Sequence, residues 1–465
     1  MGMVEHVVVI GGDAAGMSAA SQARRRRGAD ELRITVFERG SFTSYSACGI
    51  PYWVGGLVSE ASDLVARTPE QHRARGIDLH TGTEVTELDL TGRRVRSREL
   101  ATGEQRWTSY DQLVLATGAA PVRPALPGFD APGVHSVHTL PDGEALLDTL
   151  ARTGPADGRR AVVVGGGYIG VEMAEAMLLR GYQVTLVHRT PEPMPSLDPD
   201  LGALVREGMV KLGIEVVPGA EAVEVLLGPS GRPRAVRSTV GEHPAELVVL
   251  GLGVRPRSDL ARAAGLALGI HGGLRTDERM RVLDAEGARV DGLWAGGDCV
   301  EVRHLVSGRH EHIALGTHAN KQGMVIGANL AGEALAFPGV VGTAITKVCE
   351  LEIARTGLTE RQATAAGLQW VTATVEASTR AGYYPDAVPM TVKLLAEQVS
   401  KRLLGVQLVG GPGAGKRIDV GAVALSAHLT VEQLLFQDLA YAPPFSPVWD
   451  PLLVAARKLA ARLFG

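Results

Sequence analysis

Residues 161–170, with the sequence AVVVGGGYIG, decide the fold of this chain. Four apolar residues that suit a buried strand come first, and the glycines at 165, 167 and 170 then follow the spacing G-x-G-x-x-G. A helical segment at 171–179 and an apolar strand at 183–187 complete the pattern. This order is typical of a βαβ unit, whose first turn brings a phosphate close to the helix N-terminus. The stretch therefore predicts a parallel α/β domain that binds a nucleotide.

A second unit of the same kind lies at the start of the chain. Residues 7–10 (VVVI) are followed by the turn GGDAAG at 11–16, a helix at 17–26 and a strand at 32–37 that ends in Glu38. Asp13 replaces the second glycine, and an acid there would repel a pyrophosphate unless its side chain pointed away. Glu38 favours a dinucleotide nonetheless, because an acid at this strand end accepts ribose hydroxyls. Glycine-rich turns without a ligand are the alternative interpretation of both units.

The two units differ in the residues that close them. His188 and Arg189 follow the later unit, at the position that Glu38 holds in the earlier one. An acid there would favour NADH, whereas a cationic pair suits the 2′-phosphate of NADPH. A solvated surface pair is the alternative.

The rest of the chain divides around these units. Buried strands are predicted at 113–118, 247–251 and 293–298. We expect residues 1–120 and about 250–330 to form one discontinuous domain and residues 121–249 to be inserted into it. Residues 331–465 have a different sequence pattern, in which predicted strands are followed by a helix. This pattern predicts an α+β module.

Composition limits the classes of function. The 465 residues carry a net charge of −4, which argues against a general nucleic-acid binder. The apolar runs are too short to span a bilayer, and the N-terminus lacks a secretory pattern. Three cysteines are too few for a disulfide scaffold, so we expect a cytoplasmic protein without a metal site.

One cysteine stands out from the other two. Cys48 lies in the segment SFTSYSACGIPY at 41–52, shortly after Glu38, with small residues on both sides. A helix starting nearby would lower the pKa of its thiol and favour the reactive thiolate. An inert buried thiol is the alternative. We expect Cys299 to be buried without redox activity and Cys349 to fill the core.

Together these segments resemble the pyridine nucleotide-disulfide oxidoreductase family, in the single-cysteine branch of coenzyme A-disulfide reductases and NADH oxidases. The resemblance covers essentially the whole chain. Its motifs are the Cys48 segment, AGGD at 295–298, TKV at 346–348, ARTGLTE at 354–360 and YAPPFSP at 441–447. It implies an α/β fold with two Rossmann-like dinucleotide-binding domains and a C-terminal α+β dimerisation domain. It also implies a homodimer that uses FAD and NADPH, with NADH possible.

The resemblance also implies roles for individual residues. It places Tyr168 as a gate and Glu172 beside the nicotinamide. The cofactor-binding residues that we expect are Gly11, Gly12, Ala15, Gly16, Glu38, Arg39, Val85, Ala116, Thr117, Gly118, Gly165, Gly167, Tyr168, Ile169, Gly170, Glu172, His188, Arg189, Gly253, Gly297, Asp298 and His318.

The chemistry that the resemblance implies centres on Cys48, which forms a mixed disulfide with coenzyme A and attacks a low-molecular-weight disulfide. Tyr383 and Tyr441 would be catalytic residues that reach this thiol from the partner subunit, and interface packing is the alternative for both. The substrate-binding residues that we expect are Arg24, Arg27, Ser44 and Tyr384. Two other functions stay open: an NAD(P)H oxidase or peroxidase working through a cysteine sulfenic acid, and a flavin redox sensor with little turnover.

Overall fold

A computed structural model describes residues 4–153 and 158–464. The first 121 residues form β1 (Glu5–Ile10), α1 (Ala14–Arg26), β2 (Leu32–Phe37), α2 (Ile50–Gly55), α3 (Pro69–Arg73), β3 (Asp78–His80), β4 (Thr83–Asp89), β5 (Arg94–Glu99), β6 (Gln105–Ser109), β7 (Gln112–Leu115) and β8 (Ala119–Pro121). The middle of the chain forms β9 (Val134–Ser136), α4 (Leu140–Thr153), β10 (Arg160–Val164), α5 (Tyr168–Leu179), β11 (Gln183–Val187), α6 (Pro199–Lys211), β12 (Glu215–Val217), β13 (Ala222–Leu227), β14 (Pro233–Ser238), β15 (Gly241–Pro244), β16 (Leu247–Leu250), β17 (Val254–Pro256), α7 (Asp259–Ala263), β18 (Arg281–Leu283), β19 (Arg289–Ala295), β20 (Val302–Arg303), β21 (His310–Glu311) and α8 (Gly316–Leu330). The remainder forms β22 (Ala344–Val348), β23 (Leu351–Gly357), α9 (Glu360–Ala365), β24 (Trp370–Ser378), β25 (Pro389–Glu397), β26 (Leu403–Gly410), α10 (Ile418–Ser426), α11 (Val431–Leu435) and α12 (Pro451–Phe464).

The first sheet has six strands in the order β18-β19-β7-β1-β2-β3, and β1 is parallel to both of its neighbours. Val7 to Ile10 are buried, as a central strand covered on both faces requires. Gly11 ends β1 with a φ of +104°, and a Cβ there would lie 2.0 Å from the carbonyl oxygen of Ala116. Only glycine therefore permits this close turn between strand and helix. The chain leaves this sheet after β7 and returns to it at β18 and β19.

The second sheet has five strands in the order β12-β11-β10-β16-β9, all parallel. Its turn repeats the geometry of the first. Gly165 has a φ of +111°, and a Cβ there would lie 2.3 Å from the carbonyl oxygen of Gly251. The predicted strands of both units are confirmed, whereas both helices begin three residues earlier than predicted, at Ala14 and Tyr168. The domain limits at residues 120, 250 and 330 stay predictions.

The C-terminal module is an antiparallel sheet in the order β22-β23-β26-β25-β24, against which α10 and α12 pack. The predicted fold class is thereby confirmed. Cys299 is fully buried, as expected. The expectation for Cys349 is wrong, because this half-buried residue forms the turn between β22 and β23 with a φ of +49°. None of the helices in the described residues combines the length and apolar character needed to cross a bilayer.

Candidate active site

The first glycine turn forms a cradle where several predicted residues meet. The Cβ position of Gly12 lies 2.7 Å from the Cβ of Glu38, and that of Gly297 lies 3.0 Å from the Cβ of Ala15. Glu38 accepts the Gly12 amide at Oε2 (2.7 Å) and the Gly40 amide at Oε1 (2.6 Å). No side chain caps the N-terminus of α1, so its first amides are free for an anion. A ribose acceptor beside an uncapped helix start fits the adenosine diphosphate half of FAD.

The other residues predicted around this cradle occupy its edges. Thr117 donates to the Arg257 carbonyl oxygen (2.6 Å), and the Gly118 carbonyl accepts the Arg257 amide (2.9 Å). Arg39 is exposed and lies 3.5 Å from Glu84, while Val85 is buried on β4. The structure assigns these side chains to packing and surface contacts, and their roles toward FAD stay predictions.

Two predicted residues follow the cradle in the chain. Burial raises the pKa of Asp298, while His312 and His138 oppose that shift. His318 lies in the first turn of α8, and its Nδ1 is buried without a hydrogen-bond partner. Burial also lowers the pKa of His318, so this imidazole is neutral at pH 7 and can accept or donate one hydrogen bond to a ligand.

Asp13, the departure from the glycine pattern, turns its side chain toward the cysteine segment. Its Oδ1 accepts the Tyr45 amide at 3.3 Å, and the Thr43 hydroxyl donates to the Gly12 carbonyl. Burial raises the pKa of Asp13 to about 6, with Glu38 and Asp298 adding to the shift. The acid therefore ties the phosphate cradle to the segment that carries Cys48, and at low pH it is neutral.

We expect the Asp13→Asn variant to remove a pH-dependent loss of stability. Because the folded-state pKa of about 6 exceeds the ordinary value of 3.8, the folded chain binds the proton more tightly than the unfolded chain. The unfolding free energy therefore falls as pH rises from about 4 to about 6, by on the order of 3 kcal/mol. Urea unfolding of both flavin-free proteins at pH 4.5 and pH 7 measures this difference. The expectation is contradicted if the two proteins differ in unfolding free energy by the same amount at pH 4.5 and at pH 7.

The second turn leaves open space where a pyrophosphate would lie. A Cβ at Gly167, directly before α5, would meet no atom within 4 Å, whereas one at Gly170 would lie 1.8 Å from the Gly165 carbonyl oxygen. No side chain caps α5. Gly253 follows β16 with a φ of +85°, and Ile169 is partly buried against the neighbouring core. An uncapped helix start with free space before it fits a nicotinamide dinucleotide.

The two residues that close this unit differ in exposure. His188 is buried, its Nδ1 lies 3.1 Å from the Thr190 hydroxyl, and its Nε2 has no partner. Burial lowers the pKa of His188. Arg189 is exposed, and no ion pair of the described residues includes it. Only Arg189 therefore offers a free positive charge at the end of β11.

Cys48 lies on an exposed turn just before α2. The turn is anchored at its start, where the Ser44 hydroxyl lies 2.9 Å from Nε2 of His72. Ser44 has a φ of +51°, and His72 is fully buried. Burial, with the charges of Arg67 and Arg75, lowers the pKa of His72 to about 4. A neutral histidine thus holds Ser44, which was predicted to bind substrate.

The surroundings of the Cys48 thiol change its expected pKa. Although the side chain reaches solvent, burial by neighbouring atoms raises the pKa of the thiol, and the carboxylates of Glu172 and Asp298 add to that shift. The expectation of a lowered pKa is therefore wrong for this chain. Helix α2 has only six residues, so its dipole is too weak to outweigh the effect of burial and two carboxylates on the thiol pKa.

A small polar cluster faces this thiol. Glu172, on α5, accepts the Thr346 hydroxyl at 2.7 Å, and the Tyr52 phenol also hydrogen-bonds Thr346. Burial raises the pKa of Glu172, and burial together with Glu172 raises the pKa of Tyr52 to about 12. Sequence reasoning missed Tyr52 and Thr346. The spacing of Cys48 and Tyr52, one helical turn apart, was the available signal for Tyr52.

Tyr168 and the predicted tyrosines of the C-terminal module lie in different settings. The Tyr168 phenol accepts from the Ser196 hydroxyl at 3.3 Å. Tyr383 and Tyr441 hydrogen-bond each other on an exposed surface, and Tyr384 is half-buried beside them. The Ala381 amide donates to the Pro443 carbonyl (3.2 Å) and so joins the two tyrosine segments.

The four arginines that end α1 have separate partners. Arg24 donates to the carbonyl oxygens of Arg27 (3.2 Å) and Leu32 (2.6 Å). Arg27 pairs with Glu5, and Arg26 pairs with Glu333. Arg25 is exposed and donates only to the neutral amide of Gln22. Arg24 and Arg27, which we expected to bind substrate, are therefore held by their own domain.

Comparison with known proteins agrees with this geometry. Residues 5–323 match the family model described as pyridine nucleotide-disulphide oxidoreductase, and residues 343–452 match its dimerisation domain. A relative from Pyrococcus abyssi, described as an NAD(P)H sulfur oxidoreductase (CoA-dependent), is 40% identical over 97% of this chain and 98% of its own length. An NADH oxidase from Methanocaldococcus jannaschii is 34% identical over 98% of this chain and 99% of its own length.

A solved structure shows the same arrangement of the whole chain. The crystal structure of reduced Bacillus anthracis CoADR-RHD has a TM-score of 0.93 and 33% identity, covering 99% of this chain and 81% of that one. The two cradles fit FAD and a nicotinamide dinucleotide, the cofactors of the pyridine nucleotide-disulphide oxidoreductase family. This chain belongs to the pyridine nucleotide-disulphide oxidoreductase family.

Proposed function

We propose that the protein is an FAD-dependent reductase that passes electrons from NADPH to Cys48 and reduces coenzyme A disulfide or a related low-molecular-weight disulfide. The observation that carries this proposal is the placement of Cys48, exposed on a segment that Asp13 and Thr43 tie to the flavin cradle. When bound, FAD supplies the two-electron relay between nicotinamide and thiol. The Cys48 thiolate attacks one sulfur of the disulfide, which forms a mixed disulfide and releases one thiol.

Proton transfer at Cys48 has defined donors and acceptors. Since burial and Glu172 raise the pKa of the thiol, the resting cysteine holds its proton at neutral pH. The Glu172 carboxylate acts on the thiol electrostatically and can take up its proton, while the Tyr52 phenol, which shares Thr346 with Glu172, stays protonated and can donate a hydrogen bond. The tyrosine pair formed by Tyr383 and Tyr441 would reach the same sulfur from the partner subunit.

A homodimer explains the exposed aromatic surface of the C-terminal module. Tyr383, Phe436 and Phe445 are each more than 70% exposed, and Val448 and Trp449 continue the patch. Exposed large apolar side chains in such number suit a protein interface, and these lie in the segment that matches the dimerisation domain. Arg417 fixes part of this surface, since it donates to the carbonyl oxygens of Thr379 and Phe445 and pairs with Asp450.

The substrate class follows from a basic surface next to the Cys48 segment. Arg67 and Arg75 lie close enough to lower the pKa of His72, the partner of Ser44. The Nε of Arg24 lies 3.5 Å from the Cβ position of Gly76, which follows Arg75, and Arg25 is the exposed residue next to Arg24 on α1. Arg25, Arg67 and Arg75 take part in no ion pair of the described residues. Free guanidinium groups suit the phosphates of coenzyme A.

We expect mass spectrometry of the unreduced protein to find one coenzyme A attached to Cys48.

The Arg25→Ala/Arg75→Ala double variant should lose kcat/KM for coenzyme A disulfide about 10- to 100-fold, because two charge-assisted contacts are removed. A disulfide without phosphates should be turned over equally by both proteins. Arg152→Ala, which breaks only the exposed pair with Asp148 on α4, is the matched control.

The NADH oxidase reading gives a different outcome in the same measurements. An exposed, unpaired cysteine also suits sulfenic acid chemistry, and several relatives carry the name NADH oxidase. An oxygenated Cys48, together with rapid oxygen-dependent NADPH consumption, would support the oxidase and reject the disulfide reductase.

The preference for NADPH is proposed from Arg189. Its guanidinium is exposed at the end of β11 without an ion-pair partner, where a ribose 2′-phosphate would lie. We expect Arg189→Ala to raise KM for NADPH about tenfold or more and to leave KM for NADH unchanged. Steady-state kinetics with both nucleotides tests this, with Lys211→Ala as a control for surface charge. Equal changes for both nucleotides would reject a role in phosphate recognition.

A further inference from the structure

A partly open cavity, which we name the Arg355 cavity, lies next to the nicotinamide cradle. It has a volume of about 340 Å³, within the range of small-molecule sites. Three parts of the chain line it: Tyr168 and Ser196 from the domain of the second sheet, lining residues between 304 and 315 around β20 and β21, and the C-terminal module through Arg355 and Gln362. Tyr168 is the first residue of α5, so the cavity adjoins the helix N-terminus that would face a pyrophosphate.

Arg355 is the only buried arginine among the described residues, and it lines this cavity. The residue is 9% exposed, and its guanidinium hydrogen-bonds only neutral acceptors, the Gly357 carbonyl and Oε1 of Gln362. Its Nε is buried without a partner. No ion pair of the described residues includes Arg355. The acid that acts on it electrostatically is Asp198, and that carboxylate is already engaged by Lys393 and Gln407.

The remaining lining reinforces a positive potential. Arg309 faces the cavity, and its guanidinium donates to the Ala365 carbonyl, another neutral acceptor. His304 and His312 contribute imidazoles, and burial lowers the pKa of His304 to about 4, so His304 is a neutral hydrogen-bonding group. Glu311 is the one acid in the lining and lies 3.4 Å from His271. A buried guanidinium without a carboxylate is costly, and an anionic ligand would offset that cost.

We propose that the Arg355 cavity binds phosphate, with Arg355 as its charged anchor and Gln362 and His304 as neutral hydrogen-bonding partners. The phosphate has two possible sources, a phosphate group of the nicotinamide dinucleotide that reaches past Tyr168, or free inorganic phosphate. Planar guanidinium donors in a partly enclosed space match a phosphate oxyanion. The proposal does not depend on Cys48 or on the identity of the disulfide.

The test uses the full-length, FAD-loaded protein and calorimetric titration with inorganic phosphate and, separately, with NADP⁺. We expect Arg355→Met to weaken binding of one or both ligands about tenfold or more. Ala314→Phe, which fills the cavity and keeps the charge, should have the same effect. Arg361→Met, at an exposed position on the neighbouring helix α9, should bind both ligands as the parent protein does.

The outcomes separate the two sources. If phosphate raises the dissociation constant of NADP⁺, and Arg355→Met loses binding of both ligands, the site belongs to a phosphate of the dinucleotide. Phosphate that binds independently of NADP⁺ and is lost in Arg355→Met assigns it to the free anion. The proposal is overturned if Arg355→Met or Ala314→Phe retains its FAD and still binds both ligands as the parent protein does.

Discussion

The Cys48→Ser variant is expected to lose disulfide turnover by at least about a thousandfold, the size of effect seen when a nucleophile is removed. A serine hydroxyl does not ionise near neutral pH and cannot exchange with a disulfide, so no mixed disulfide forms. Reduction of the flavin by NADPH should change less than about twofold, because the second cradle, with Gly165 and Gly167, is untouched. Stopped-flow absorbance measures flavin reduction, and thiol release measures turnover.

The other cysteines provide matched controls for this prediction. Cys349→Ser replaces a half-buried thiol in the turn between β22 and β23 and should keep both rates. Cys299 is fully buried, its Sγ donating to the Leu115 and Gly296 carbonyl oxygens, and is no alternative nucleophile. Turnover that survives in Cys48→Ser would remove the cysteine mechanism. Flavin reduction that fails there would show that the variant disturbs the cradle through Thr43.

The parts of this protein that the sequence predicted are those fixed by local sterics. An apolar strand followed by Gly11 or Gly165 permits only one kind of turn, because any Cβ would meet the carbonyl of the neighbouring strand. The two parallel sheets follow from that constraint and from strand burial. The C-terminal sheet, by contrast, was predicted mainly through resemblance, since its antiparallel pairings depend on long-range contacts.

The parts that the sequence did not predict depend on what lies opposite a side chain. Arg24 and Arg27 were expected on one helix face, and Arg24 does donate to the Arg27 carbonyl, but that face packs on the first sheet instead of facing a ligand. The Cys48 thiol was expected to have a low pKa from its helix. Its environment includes Glu172 from α5, more than a hundred residues further along the chain, which no local pattern reveals. Asp13 similarly gains its role from Tyr45.

Lys393→Met is expected to destabilise the protein by about 3–5 kcal/mol, because it leaves the buried Asp198 carboxylate without its counter-charge. The Lys393 ammonium is 4% exposed and lies 2.8 Å from Asp200, 2.8 Å from Glu360 and 3.2 Å from Asp198, which is itself 2% exposed. Although burial lowers the pKa of Lys393, the three carboxylates together raise it above its usual value. Urea denaturation followed by circular dichroism measures the loss, with Lys416→Met as a control that breaks only an exposed pair.

The position of this cluster gives the loss a second, diagnostic feature. Asp198 and Asp200 open α6 beside the second sheet, whereas Lys393 and Glu360 belong to the C-terminal module. The Lys393→Met/Asp198→Asn double variant should recover part of the lost stability, since the most buried charge is then absent and Gln407 can still bond the amide. Additive losses in the double variant would mean that Lys393 acts by packing alone. Recovery would show that an ion-pair cluster centred on the buried Lys393 and Asp198 joins the domain of the second sheet to the C-terminal module.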